Sequence, residues 1–93
     1  MTTLSQAAID RARADLAQRV GVSELEIDDE SIEPADFSDA ALGAPLADEM
    51  SAQVITPGWR IRLKAGGQSY EYRANDRQLR LVNFKGENYR VAK

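Results

Sequence analysis

Between Trp59 and Val82 the chain alternates apolar and charged side chains through three short runs separated by two sharp turns. Trp59, Ile61 and Leu63 interleave with Arg60, Arg62 and Lys64; Tyr70 and Tyr72 with Glu71 and Arg73; Leu79 and Leu81 with Arg80. A period of two marks strands with one buried face. Gly66-Gly67 tolerates the positive φ angles of a two-residue primed turn. That turn sets Leu63 opposite Tyr70, Ile61 opposite Tyr72 and Trp59 opposite Ala74. A second two-residue turn at Asn75-Asp76 would set Tyr72 opposite Leu79 and Tyr70 opposite Leu81. Both turns place every apolar side chain on one face, and a slip of one residue would reverse them all. The expectation is an antiparallel meander with strands at about 59–64, 69–74 and 78–82.

Such a face needs a cover, and the N-terminus supplies one. Ala8, Ile9, Ala12, Leu16 and Val20 recur at three- and four-residue spacing, predicting a helix over 4–20. Thr3-Leu4-Ser5-Gln6 has the spacing of a capping box, and Gly21 suits a left-handed C-terminal cap. Leu25 and Ile27 then alternate with acids, which reads as a strand from about 24 to 33. Its phase breaks at Asp28-Asp29-Glu30, predicting a bulge, and Pro34 marks an edge strand or the end of the ladder. Beyond Val82 the phase shifts again. Phe84, Tyr89 and Val91 flank a possible last hairpin, and a bulge near Asn83 or a second small cluster would each reconcile the 83–93 tail.

Composition narrows the chemistry. The 93 residues contain neither histidine nor cysteine, which removes the commonest general base, the thiol nucleophile and the usual soft-metal ligands. The remaining candidates are carboxylates, lysines and tyrosines, and the tyrosines alternate onto the core face. No phosphate-cradling glycine loop or nucleophile elbow occurs. The reading is therefore a non-enzyme with no cofactor and no metal. Asp36, Ser38 and Asp39 offer oxygens as a calcium loop does, but without the glycine and bidentate glutamate of that spacing. Asp28, Asp29 and Glu30 point to alternate sides of a strand and so cannot converge on a metal.

The net charge of −3 conceals a split: residues 1–50 hold twelve acids and three bases, residues 51–93 three acids and nine bases. Internal neutralisation is the expected outcome. The other possibility is weak nucleic-acid binding through Arg60, Arg62, Lys64, Arg73 and Arg80, but stacking aromatics are lacking on that face. No apolar run reaches the roughly 18 residues of a membrane helix, and no basic-then-apolar leader opens the chain. A cytoplasmic protein is expected, as a monomer or a weak dimer, with another protein as its partner.

Two segments are candidate contacts. Residues 38–52 form a long connection in which Pro45 could open a helical turn that places Leu46 and Met50 on one side. In Gln53-Val54-Ile55-Thr56-Pro57-Gly58-Trp59, Pro57-Gly58 suits the centre of a type II turn shouldered by Val54, Ile55 and Trp59. Exposed, it would be a binding wedge; the alternative is a kink between core strands with Trp59 buried.

The order of helix, acidic strand and meander resembles PepSY-type domains, in which a helix lies on an antiparallel sheet. Gln53–Gly58 is also similar to the Gln-Val-Val-Ala-Gly segment in the inhibitory hairpin of the cystatins, with one residue more before glycine. That likeness implies a protease-inhibitor-like module as the alternative function. A likeness over more of the chain rests on Glu26-Ile27, Leu42-Gly43-Ala44-Pro45, Gln53 through Ile61, Ala65-Gly66-Gly67 and Tyr70 through Arg73. These resemble a family of small uncharacterised bacterial proteins, which often carry tryptophan where Phe37 stands and cysteine where Ala44 stands. The resulting expectation is one α+β domain over 1–93, a PepSY-like or cystatin-like fold with one helix on a four-stranded antiparallel sheet. It would act as a small non-catalytic binding or regulatory module.

Overall fold

The apolar stripe of the N-terminal segment winds into helix α1, Leu4–Val20, in the computed structural model, which describes residues 4–91. Ala8, Ile9, Ala12, Leu16 and Ala17 are its buried face, and the small size of the three alanines lets the helix lie close to the sheet. Gly21 ends it at φ 73°, with the Gly21 and Val22 amides both donating to the Ala17 carbonyl; such paired bonds satisfy orphan carbonyls at a helix end. The expected capping residue Thr3 lies outside the described residues.

Five strands follow: β1 (Asp28–Phe37), β2 (Thr56–Ala65), β3 (Gln68–Ala74), β4 (Leu79–Phe84) and β5 (Glu87–Arg90). They pair antiparallel in sequence order, so β1 and β5 are the edges. The expected four strands are thus one short, because the tail closes a hairpin onto β4. The β2–β3 register is the one the glycine turn dictates: Leu63 faces Tyr70, Ile61 faces Tyr72 and Trp59 faces Ala74.

The next turn differs. Tyr72 faces Leu81, not Leu79, and Ala74 faces Leu79. The connection spans Asn75–Gln78 because the Asn75 side-chain oxygen accepts from the Arg77 and Gln78 amides, both at 2.9 Å. This Asx-type bonding builds a wider turn than the expected pair. The displacement is two residues, an even number, so the faces survive.

The first strand also starts later than expected. Ser23-Glu24-Leu25-Glu26 is a capping box that nucleates a 3-10 turn, Glu24–Glu26, and leaves Leu25 in water. The bulge falls between Asp29 and Ser31, and the ladder runs through Pro34 to Phe37. At the other end, Asn83 takes φ 52° and the β4–β5 register shifts between Leu81 and Phe84. That bulge returns Phe84 to the helix side, where Phe84, Tyr89 and Val91 join the main core.

The core lies between α1 and one face of the sheet, around the fully buried Leu16, Ile61, Leu63, Tyr72 and Leu81. Each such aliphatic side chain contributes roughly 1.5–3 kcal/mol relative to exposure. Trp59 packs against this cluster, half-buried. The opposite face has its own cover. Residues 38–55 cross it as a strap, burying Ala41, Leu42 and Ala44 together with Phe37.

Candidate functional site

The strap is fastened from below by polar side chains of β3, β4, β5 and the β3–β4 turn. Arg73 donates to the Leu42 carbonyl at 3.0 Å, Gln78 to that of Ala40 at 2.7 Å, and Asn88 to that of Pro45 at 3.0 Å. Arg80, only 2% exposed, reaches the Ala44 carbonyl at 3.3 Å and grips both carboxylate oxygens of Glu49 at 2.6 and 2.7 Å. Its Nε donates to the Gln78 side-chain oxygen at 2.7 Å. Each nitrogen of the buried guanidinium therefore has a partner, which such burial requires.

Hydrogen bonds from Arg80 and then from the Leu46 amide pull the Glu49 carboxyl from its ordinary 4.5 down to about 2. Within the strap, one Asp39 oxygen accepts from the Ala41 and Gly43 amides, both at 2.9 Å. Asp39 is thus committed to the local turn. Asp36 and Ser38 stay exposed, and among the described residues no group of acids is placed to hold a metal ion.

Past Glu49 the strap turns its side chains outward. Met50 is 97% exposed, Val54 52% and Ile55 73%. Pro45 opens no helix. Residues 46–49 make one hydrogen-bonded turn, with Glu49 N–H on the Leu46 carbonyl at 3.0 Å. Leu46 is half-buried while Met50 stands free, so the two do not share a side.

The expected type II turn at Pro57-Gly58 is absent. Both residues lie inside β2, opposite Asp36 and Ala35, and Gly58 does not take the positive φ that such a turn needs. Gly58 serves close approach instead: an added Cβ would collide with the Ala74 carbonyl oxygen and sit 3.3 Å from the Phe37 ring. Gln53, Val54 and Ile55 lead into the strand, with the Thr56 hydroxyl donating back to the Val54 carbonyl at 3.1 Å. The segment therefore forms no hairpin tip of the cystatin kind, and Trp59 is a shoulder of the core.

The basic strand residues are largely paired. Arg60, Arg62 and Arg73 converge on Glu71 at 3.4, 3.5 and 2.8 Å, and Arg60 also reaches Glu33 at 3.6 Å. With Arg80 buried, the five-residue patch reduces to Lys64 and the half-exposed Arg62. Neutralisation is partly between the two halves, as in Arg80–Glu49 and Arg60–Glu33, and partly within each, as in Arg19–Asp15 in the first and Arg73–Glu71 in the second.

The strap, its pins and the meander all fall inside or beside one matched segment. The DUF8738 family, described as a domain of unknown function, matches the chain over residues 9–82. The chain belongs to this family. No curated protein and no solved structure matches this DUF8738 chain. No helix among its described residues is long and apolar enough to cross a membrane.

The pins are what sequence reasoning missed. Alternation placed Arg80 on the outer face and gave no hint that this face is covered. A signal was present: the Ala40-Ala41-Leu42-Gly43-Ala44 run is too apolar for a solvated connection and had to pack somewhere.

Proposed function

We propose that this DUF8738 domain is a non-catalytic binding module whose contact surface is the outward stretch of the strap, Met50 to Ile55, continued by Pro57. The observation that carries this is the display of three large apolar side chains within six residues, all more than half exposed, on a segment anchored through a buried arginine. Scattered single apolar residues on a surface are ordinary, whereas a contiguous apolar display marks an interaction site. Anchoring lowers the entropy lost on ordering such a segment against a partner. The chemistry of the interior supports a non-catalytic role: the Tyr72 hydroxyl is tied to Asp15 at 2.7 Å and Glu49 to Arg80, leaving neither poised for proton transfer. The partner is another protein presenting an apolar cleft. The helix laid on an antiparallel sheet is the feature that resembles PepSY-type domains.

A photo-crosslinking residue at position 54 tests the reading in extracts of the native host. Discrete adducts should form there and not at Gln18, exposed on the helix, and Met50→Glu with Ile55→Glu should abolish them without lowering Tm. Equal labelling at positions 54 and 18 would refute the assignment.

A further inference from the structure

A groove lies away from the strap, where the end of α1 meets the β2–β3 and β4–β5 tips. This groove of about 550 Å³ is lined by Arg19, Ser69, Tyr70, Asn83, Phe84 and Lys85 among others, within the size range of small-molecule sites. Its floor is aromatic: Tyr70 and Phe84 have ring centroids 6.0 Å apart at 41°. Arg19 and Lys85 stand 5.8 and 5.4 Å from the Phe84 centroid. The lining holds no carboxylate and two cations, of which Arg19 is paired with Asp15 beyond the rim and Lys85 supplies the charge.

The nearby acids are already engaged: Asp15 binds Arg19 at 2.7 Å, and Glu30 accepts the Ser69 hydroxyl at 2.6 Å. Lys85 makes no ion pair among the described residues. It projects from a hairpin tip where it and Gly86 both take positive φ, the geometry of a primed turn. The Asn83 bulge is what rotates Phe84 into the floor.

From this lining we infer that the groove binds a small aromatic anion, its ring on Tyr70 and Phe84 and its acid group on Lys85, with Arg19 behind. The helix carbonyls at the end of α1 oppose an anion, and Arg19 in the last turn offsets them.

The probe is an anilinonaphthalene sulfonate dye, set against the uncharged phenylnaphthylamine, with amide shifts mapped by NMR. The sulfonate should saturate and shift the amides of 69–70 and 83–85. Lys85→Glu should weaken it about tenfold or more, the effect of a lost charge-assisted contact, and Lys85→Arg should retain it. The neutral dye should be indifferent to both substitutions, and Ile55→Ser in the strap should change nothing. Unsaturable binding, equal affinity in Lys85→Glu, or shifts centred on residues 50–57 would each overturn the assignment.

Discussion

Replacing Glu49 with glutamine removes the strap carboxylate that Arg80 grips and keeps the side chain's shape. The side chain of Arg80 is 3% exposed and that of Glu49 25%, so the substitution strips a carboxylate from a guanidinium that stays buried. The carboxyl is held from 4.5 down to about 2, chiefly by the Arg80 hydrogen bonds. At about 1.4 kcal/mol per pH unit, that interval caps the contribution of ionised Glu49 at about 3.5 kcal/mol. Water on the exposed part of the carboxylate screens the pair, so the expected cost of Glu49→Gln at pH 7 is half the cap, roughly 1.7 kcal/mol.

The pH dependence fixes the sign. Folding depresses this carboxyl, so its stabilisation is complete above the unfolded value of 4.5 and is lost as pH falls toward 2. Urea denaturation followed by Trp59 fluorescence should show the full gap between wild type and variant at neutral pH. The two curves should converge near pH 2. A neutral-pH gap below about 0.5 kcal/mol, the range of ordinary surface changes, would refute the reasoning. So would a gap that persists undiminished into acid.

Three further outcomes follow from the geometry. Gly58→Ala should lower stability by at least about 2 kcal/mol, because its methyl meets the backbone oxygen of Ala74 and the strand must shift. Gly21→Ala, strained only by its φ, should cost less, and thermal melts of the pair rank them. Asn75→Ala removes an acceptor serving two amides and should cost about 1–2 kcal/mol by chemical denaturation. Burial, then the bond to Asp15, push the Tyr72 phenol far above its ordinary 10. Folding raises this group, so stability is retained below pH 10 and declines above it; ultraviolet titration should show Tyr72 ionising only as the chain unfolds.

The parts legible in the sequence were those fixed by local rules. Gly66-Gly67 set the β2–β3 register outright, because a two-residue primed turn leaves no freedom in pairing. Asn75-Asp76 misled by two residues, since asparagine acts there through its side chain, a choice the backbone signal does not reveal. Ser23 and Glu26 were a readable capping box, overshadowed by the Leu25–Ile27 alternation. The phase shift at Asn83 was visible, and the positive φ there decided between its two explanations. The strap was the long-range feature. Whether Arg80 is a solvated surface charge or a buried clamp depends on a carboxylate 31 positions away, and alternation along a strand carries no such information. Pro57-Gly58 likewise suits either a turn or a strand pressed against a neighbour, and only the proximity of Ala74 separates them.

The pins on the strap grasp mainly the carbonyl oxygens of residues 40, 42, 44 and 45. A peptide oxygen is offered by every amino acid alike, so this fastening reads the path of the chain and is nearly blind to its spelling. Beyond Glu49, substitutions can accumulate without loosening the attachment. The fold thus separates a mount held through the backbone from an exposed face, and exchanging Met50, Val54 or Ile55 should leave the sheet beneath untouched.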